Sequence, residues 1–206
     1  LHKAKKEDLF CKVELLKWAC DFYDNNLNAA IHRLLLHESG TPFEKNISYD
    51  LERKLNLITS FFASGEYSRG IGVIKSIKHS AQWIQKKKGI EFRFRFQLIE
   101  LLYLLETGKI DLVPNRIRAL KHLHREVNKL NSNYKNLNVF LNVINTSVKE
   151  SSFKGLEREL DKFQFSPFKR ENIQATAFYA YLKCKASGQD YYKTLIELVT
   201  IEWVKQ

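Results

Sequence analysis

Five short segments of the chain share one pattern, a residue that readily ends a helix followed two positions later by an apolar one. Gly65 and Tyr67 in "SFFASGEYSRGIGVI" are matched by Gly108 and Ile110 in "LLETGKIDLV" and by Ser151 and Phe153 in "VKESSFKGL". An earlier copy is Asn25 and Leu27 in "FYDNNLNAAI", and a looser one is Gly188 and Tyr191 in "KASGQDYYKTL". The turn positions 25, 65, 108, 151 and 188 are 40, 43, 43 and 37 residues apart, the period of a helix hairpin. A helix ends most easily on a residue that accepts a left-handed backbone, which favours Gly and then Asn, and an apolar residue just beyond it packs back onto the hairpin. Ser151 fits this role least well.

Between the turns the chain reads as helix. Eight glycines and three prolines leave few breaks, and apolar residues recur at three- and four-residue spacing. Val113, Ile117, Leu120, Val127 and Leu130 form one stripe, with Pro114 tolerated in the first turn. Leu137, Phe140, Leu141, Ile144 and Val148 form another. Ten helices are expected, over residues 8–24, 27–38, 48–63, 67–88, 90–107, 111–131, 134–149, 153–164, 168–187 and 190–205. The stretch "EFRFRFQLI" at 91–99 alternates as a strand would. It is assigned to helix because Leu98, Leu101, Leu102 and Leu105 continue it at helical spacing and no neighbouring strand is available to pair.

The expected fold is therefore all-α, a right-handed stack of about five antiparallel helix hairpins in a single domain, residues 1–206, since one hairpin cannot bury both of its helices. The turn pattern resembles that of the tetratricopeptide-like α-solenoids. Gly70 and Ala30 supply the small residue three positions after the apolar one, whereas Val113 and Leu156 depart from it, and the period is longer than the usual 34 or so residues. The segments "FRFRFQLIELLYLLETGKIDLV" and "DKFQFSPFKRENIQATAFYAYLKCKASGQDYYKTLIE" also resemble uncharacterised helical-repeat proteins common in Bacteroidetes, over roughly residues 60–200. That resemblance implies a tetratricopeptide-like fold and brings no catalytic residue with it.

Composition narrows the setting. No apolar run approaches the ~20 residues that span a bilayer, and "LHKAKKEDLF" lacks the apolar centre of a signal peptide. Cys11, Cys20 and Cys184 are odd in number and scattered, as suits thiols in a reducing compartment. The expectation is a cytoplasmic protein without membrane contact. A start at Leu1 and the lack of methionine read as a fragment of a longer chain.

Charge is unevenly spread. Residues 67–135 hold 15 Lys and Arg against 5 Asp and Glu, so this third supplies +10 of the chain's +11. Arg118, Lys121, Arg125 and Lys129 recur opposite the apolar stripe of their helix, and the preceding basic helix adds Lys75, Lys78, Lys86, Lys87 and Lys88. Such a ridge attracts phosphates or acidic segments; the competing reading is a solvated, lysine-rich face. A second row, Asn138, Asn142 and Asn145, lies on one helix although Asn is a poor helix former. Carboxamides can both donate to and accept from a peptide backbone. Arg93, Gln97 and Glu100 make a comparable row, and these six are the candidate partner-binding residues, set against simple exposure.

Signals of catalysis are weak. His122 and His124 sit two apart and point about 200° from one another on a helix, so they cannot share a metal. Phosphate loops, paired metal-binding cysteines and nucleophile elbows are missing from the sequence. The tryptophans Trp18, Trp83 and Trp203 read as packing residues. The function expected is a non-catalytic module that binds a protein or peptide, with no cofactor and no metal. The alternatives are nucleic-acid binding along the basic ridge, or a structural, oligomerising part of a larger protein.

Overall fold

The computed structural model describes residues 2–37, 40–130, 137–149 and 173–200. All regular structure among them is helical. The chain divides at His79 and Ser80 into two compact units.

The first unit contains α1 (His2–Tyr23), α2 (Leu27–Leu35), the single turn α3 (Pro42–Lys45), α4 (Ile47–Ala63) and α5 (Tyr67–Ser76). Its core is Phe22, Leu34, Phe43, Leu51, Leu55, Ile58 and Phe61, all essentially inaccessible to solvent. Each large side chain so buried contributes about 1.5–3 kcal/mol. α1 joins this core through Cys11, Trp18 and Phe22, and its Trp18 Nε1 donates to Ser60 Oγ on α4 at 3.0 Å.

The second unit contains α6 (Ala81–Lys88), α7 (Ile90–Glu106), a 3-10 turn (Ile110–Leu112), α8 (Val113–Leu130), α9 (Leu137–Lys149), α10 (Ile173–Ser187) and α11 (Tyr191–Thr200). α7 packs against α6, α8 and α10 and is buried on several sides. That explains its strand-like alternation. Phe92 and Phe94 are about 200° apart on the helix, and both are buried because different neighbours cover them.

Four of the five expected turns lie in the described residues, and all four use a left-handed backbone: Asn25 at φ 60°, Gly65 at 74°, Gly108 at 69° and Gly188 at 71°. At the first three the same closing bond recurs, Asn26 N–H to Asp21 O, Glu66 N–H to Phe61 O and Lys109 N–H to Leu104 O, each at 2.9 Å. This is the six-to-one bond that caps a helix when its last residue turns left-handed. Each turn joins helices that pack on one another: α1 on α2, α4 on α5, α7 on α8 and α10 on α11. The residue two beyond the glycine behaves as the pattern requires at Tyr67, whose ring lies 5.3 Å from that of Phe62.

The helix expected over 67–88 is instead two, α5 and α6, separated by residues 77–80. No Gly or Pro marks the break. Its local cause is Ser80, whose extended backbone and side-chain oxygen, accepting from Trp83 N–H, start a new helix. Thr41, extended but without a side-chain cap bond, and Pro42 begin α3, where the periodicity predicts no helix. Ser151, Trp203 and the helix expected over 153–164 lie outside the described residues.

Candidate functional site

In the second unit α6, α7 and α8 line an open cleft of about 690 Å³. α6 contributes Gln82, Gln85 and Lys86, α7 contributes Arg93, and α8 contributes Ala119, His122, Leu123 and Glu126. The α8 positions recur at three and four residues, so one face of that helix forms a wall whose small residue, Ala119, leaves room. Arg93 is fixed by its Nη1–H, which donates to Gln85 Oε1 at 2.7 Å. Its Nε is buried and meets no acceptor among the described residues. Lys86 is exposed, and among the described residues no carboxylate pairs with it. Glu126 lies 3.8 Å from the His122 ring, and both are largely exposed.

The row Arg93, Gln97 and Glu100 is not presented on one open face. Only Arg93 reaches the cleft. Gln97 is 6% exposed and Glu100 is engaged by Arg116 Nη1 at 3.0 Å. Burial pushes the Glu100 carboxyl up, with Arg116 opposing it. The reason is the covering of α7 by its neighbours, which removes from solvent positions that spacing alone leaves open.

On α9 Asn142 is exposed, while Asn138 and Asn145 are half-buried. Lys121 Nζ on α8 donates to Asn142 Oδ1, so the asparagine row and the basic row of α8 meet at this point. Arg118, Arg125 and Lys129 are exposed and have no carboxylate partner among the described residues. Lys75 on α5 and Lys78 just beyond it belong to the first unit, and Lys86, Lys87 and Lys88 on α6 to the second, so the expected single helix carrying all five is corrected. Lys87 lies over the Trp83 ring at 5.8 Å and Lys88 over Phe92 at 5.4 Å, within cation–π range.

A smaller cleft of about 310 Å³ lies in the first unit among α2, α4 and α5. Its cations are already matched. Arg53 and Lys54 both bind Asp50 at 2.8 Å, and Arg69 binds Glu66 while lying 4.4 Å over the Phe61 ring. Elsewhere in this unit the largely buried Glu14 accepts from Lys17 at 2.8 Å and from Arg33 at 3.4 Å, and its other neighbour is His37 Nε2 at 3.1 Å. Burial pushes the Glu14 carboxyl up, but the hydrogen bonds from Lys17 and His37 outweigh it and hold it below its ordinary range.

Burial also pushes the Cys11 and Cys184 thiols up, which disfavours the thiolate. His122 is exposed and His124 buried, as their 200° separation demands. Among the described residues no three His, Cys, Asp or Glu side chains are grouped as metal ligands, and no helix is long and apolar enough to cross a membrane.

Sequence reasoning did not find Gln82, Gln85 or Glu126. Gln82 stands three residues before Gln85 and four before Lys86, and Glu126 four after His122, but such spacing marks a face without saying what lies opposite. The class these observations define is an all-α protein whose helices are joined by recurring left-handed turns. No protein-family model, curated protein or solved structure matches the chain.

Proposed function

We propose that this chain is a non-catalytic helical-repeat module, a right-handed, tetratricopeptide-like stack of about five hairpins that binds a protein or peptide in the cytoplasm without a cofactor. The observation that carries the reading is Arg93, which lines the second-unit cleft and is held there by its bond to Gln85 Oε1. The guanidinium of a cleft-lining arginine offers N–H donors to a carbonyl or carboxylate of a docked segment, and a charged acceptor binds more strongly. Lys86 on the same wall favours an acidic segment. The cleft volume falls within the range of about 300–1,000 Å³ usual for ligand sites. The repeated turn at Asn25, Gly65, Gly108 and Gly188 supports the repeat architecture.

An array of immobilised acidic, neutral and basic peptides, probed with the wild-type chain and with Arg93→Ala, tests the reading. Acidic peptides are expected to bind, and the substitution to weaken them roughly tenfold, or about 1.4 kcal/mol, with helicity unchanged. Equal binding by both proteins removes the cleft as the contact site.

Arg118, Arg125 and Lys129, exposed and without a carboxylate partner among the described residues, favour a second reading, contact with a phosphate backbone along α8. Binding to generic single-stranded RNA is expected to be no tighter than about micromolar at physiological salt. Sub-micromolar, salt-steep binding abolished by charge reversal at Arg118, Lys121, Arg125 and Lys129 would place nucleic acid first.

A further inference from the structure

The helix α1 is apolar on two opposite sides. Cys11, Trp18 and Phe22 are buried in the core of the first unit. About 200° around the helix from each of them lie Leu9, Leu16 and Cys20, and these, with Val13, are exposed, Leu9 by 61% and Leu16 by 65%. The spacing 9, 13, 16, 20 alternates four and three residues. It is the seam of a two-stranded coiled coil, with Leu at both d positions and Val and Cys at the a positions.

We infer that α1 pairs with α1 of a second copy of this chain, antiparallel, about a two-fold axis passing between Glu14 and Leu15. The seam is symmetric about that point. Reversing the helix places Val13 against the partner's Leu16, and Leu9 against the partner's Cys20, which is the self-complementarity a two-fold interface requires.

Charge selects the antiparallel sense. The exposed Lys5 and Lys6 stand near the start of α1, and the exposed Asp24 stands just beyond its end. Antiparallel pairing sets each basic end beside the other copy's acidic end, where the helix dipole is also negative. A parallel pair would set lysine beside lysine. The flanking Lys12 and Lys17 are held at 2.8 Å by Asp8 and Glu14 of their own helix. A seam of two heptads is small against the ~800 Å² per partner of a standard interface, so the dimer is weak.

Sedimentation of the whole chain from low to high micromolar concentration tests the pairing. A monomer–dimer equilibrium is expected, and Leu16→Lys shifts the dissociation constant upward at least tenfold without loss of helicity, because that side chain is mostly outside the core. Orientation is read by oxidation with copper–phenanthroline in air under dimerising conditions. Leu9→Cys, whose added thiol meets the partner's Cys20, is trapped as a disulfide dimer, and the parent chain is not. The two positions on one helix are ~16 Å apart along the axis, too far for an internal bridge. A chain that stays monomeric overturns the inference, as does a dimer indifferent to Leu16→Lys or a parent chain cross-linked through Cys20. Peptide binding at Arg93 is unaffected by Leu16→Lys in any of these cases, so the two proposals fail separately.

Discussion

Glu14 and Glu100 show how the same residue type acquires opposite roles. Glu14 is largely buried but amply bonded, and its carboxyl lies below its ordinary value of 4.5. Its contribution to stability is therefore fully present above that value and is lost as pH falls through the lower folded value. For Glu100 burial outweighs its single partner, Arg116, and its carboxyl is raised, so protonation on acidification favours the folded form at that site. The expected outcome for Glu14→Gln is a lower urea midpoint at about pH 7 and a smaller loss of stability on descending to about pH 4, measured on the first unit's unfolding. An unchanged pH profile would mean that the cluster of Lys17, Arg33 and His37 does not act through this carboxylate. Neither role was legible in the sequence, since both residues stand among apolar neighbours at helical spacing. Which of them meets a ring of donors is settled by α2 and by the segment carrying His37, brought beside α1 only on folding.

At the scale of elements the turns were the most legible feature, because the left-handed conformation is a property of the residue itself. An added Cβ at Gly65 meets nothing within 4 Å, so only the backbone opposes it. Gly65→Ala is expected to cost ~1–2 kcal/mol, and Gly65→Asn less. Gly72, inside α5 and also facing open space, provides the internal contrast. Gly72→Ala should stabilise by up to about 1 kcal/mol through helix propensity. Thermal melts of the three variants check the signs, and a stabilising Gly65→Ala would contradict the left-handed assignment. The boundary between α5 and α6 was not legible, because Ile77, Lys78 and His79 include no breaker and the periodicity runs on through them. Ser80 alone carried a signal, and a lone serine is as common inside a helix face as at its start. The row Arg93, Gln97 and Glu100 was spaced like the asparagines of α9, yet Gln97 is covered and Asn142 is not. Spacing defines a face, and the neighbours of α7 decide whether that face sees solvent.

Over the whole molecule, each unit has its own set of buried aromatic and aliphatic side chains, Phe22, Phe43 and Phe61 in the first and Phe92, Phe94 and Phe178 in the second. Separate chains of residues 1–79 and 80–206 are accordingly expected to be helical and to unfold cooperatively, as followed by circular dichroism in urea. A fragment without a cooperative transition would show that its core needs the other. The sequence by itself determined the all-helical class and the turns at Asn25, Gly65, Gly108 and Gly188, because helical periodicity and left-handed propensity act over a few consecutive residues. Only the tertiary structure decided the division at His79 and Ser80, the burial of Gln97, the bond from Lys121 to Asn142 and the cleft around Arg93. Each of these depends on which helices cover one another, and that is governed by side chains far apart in the chain.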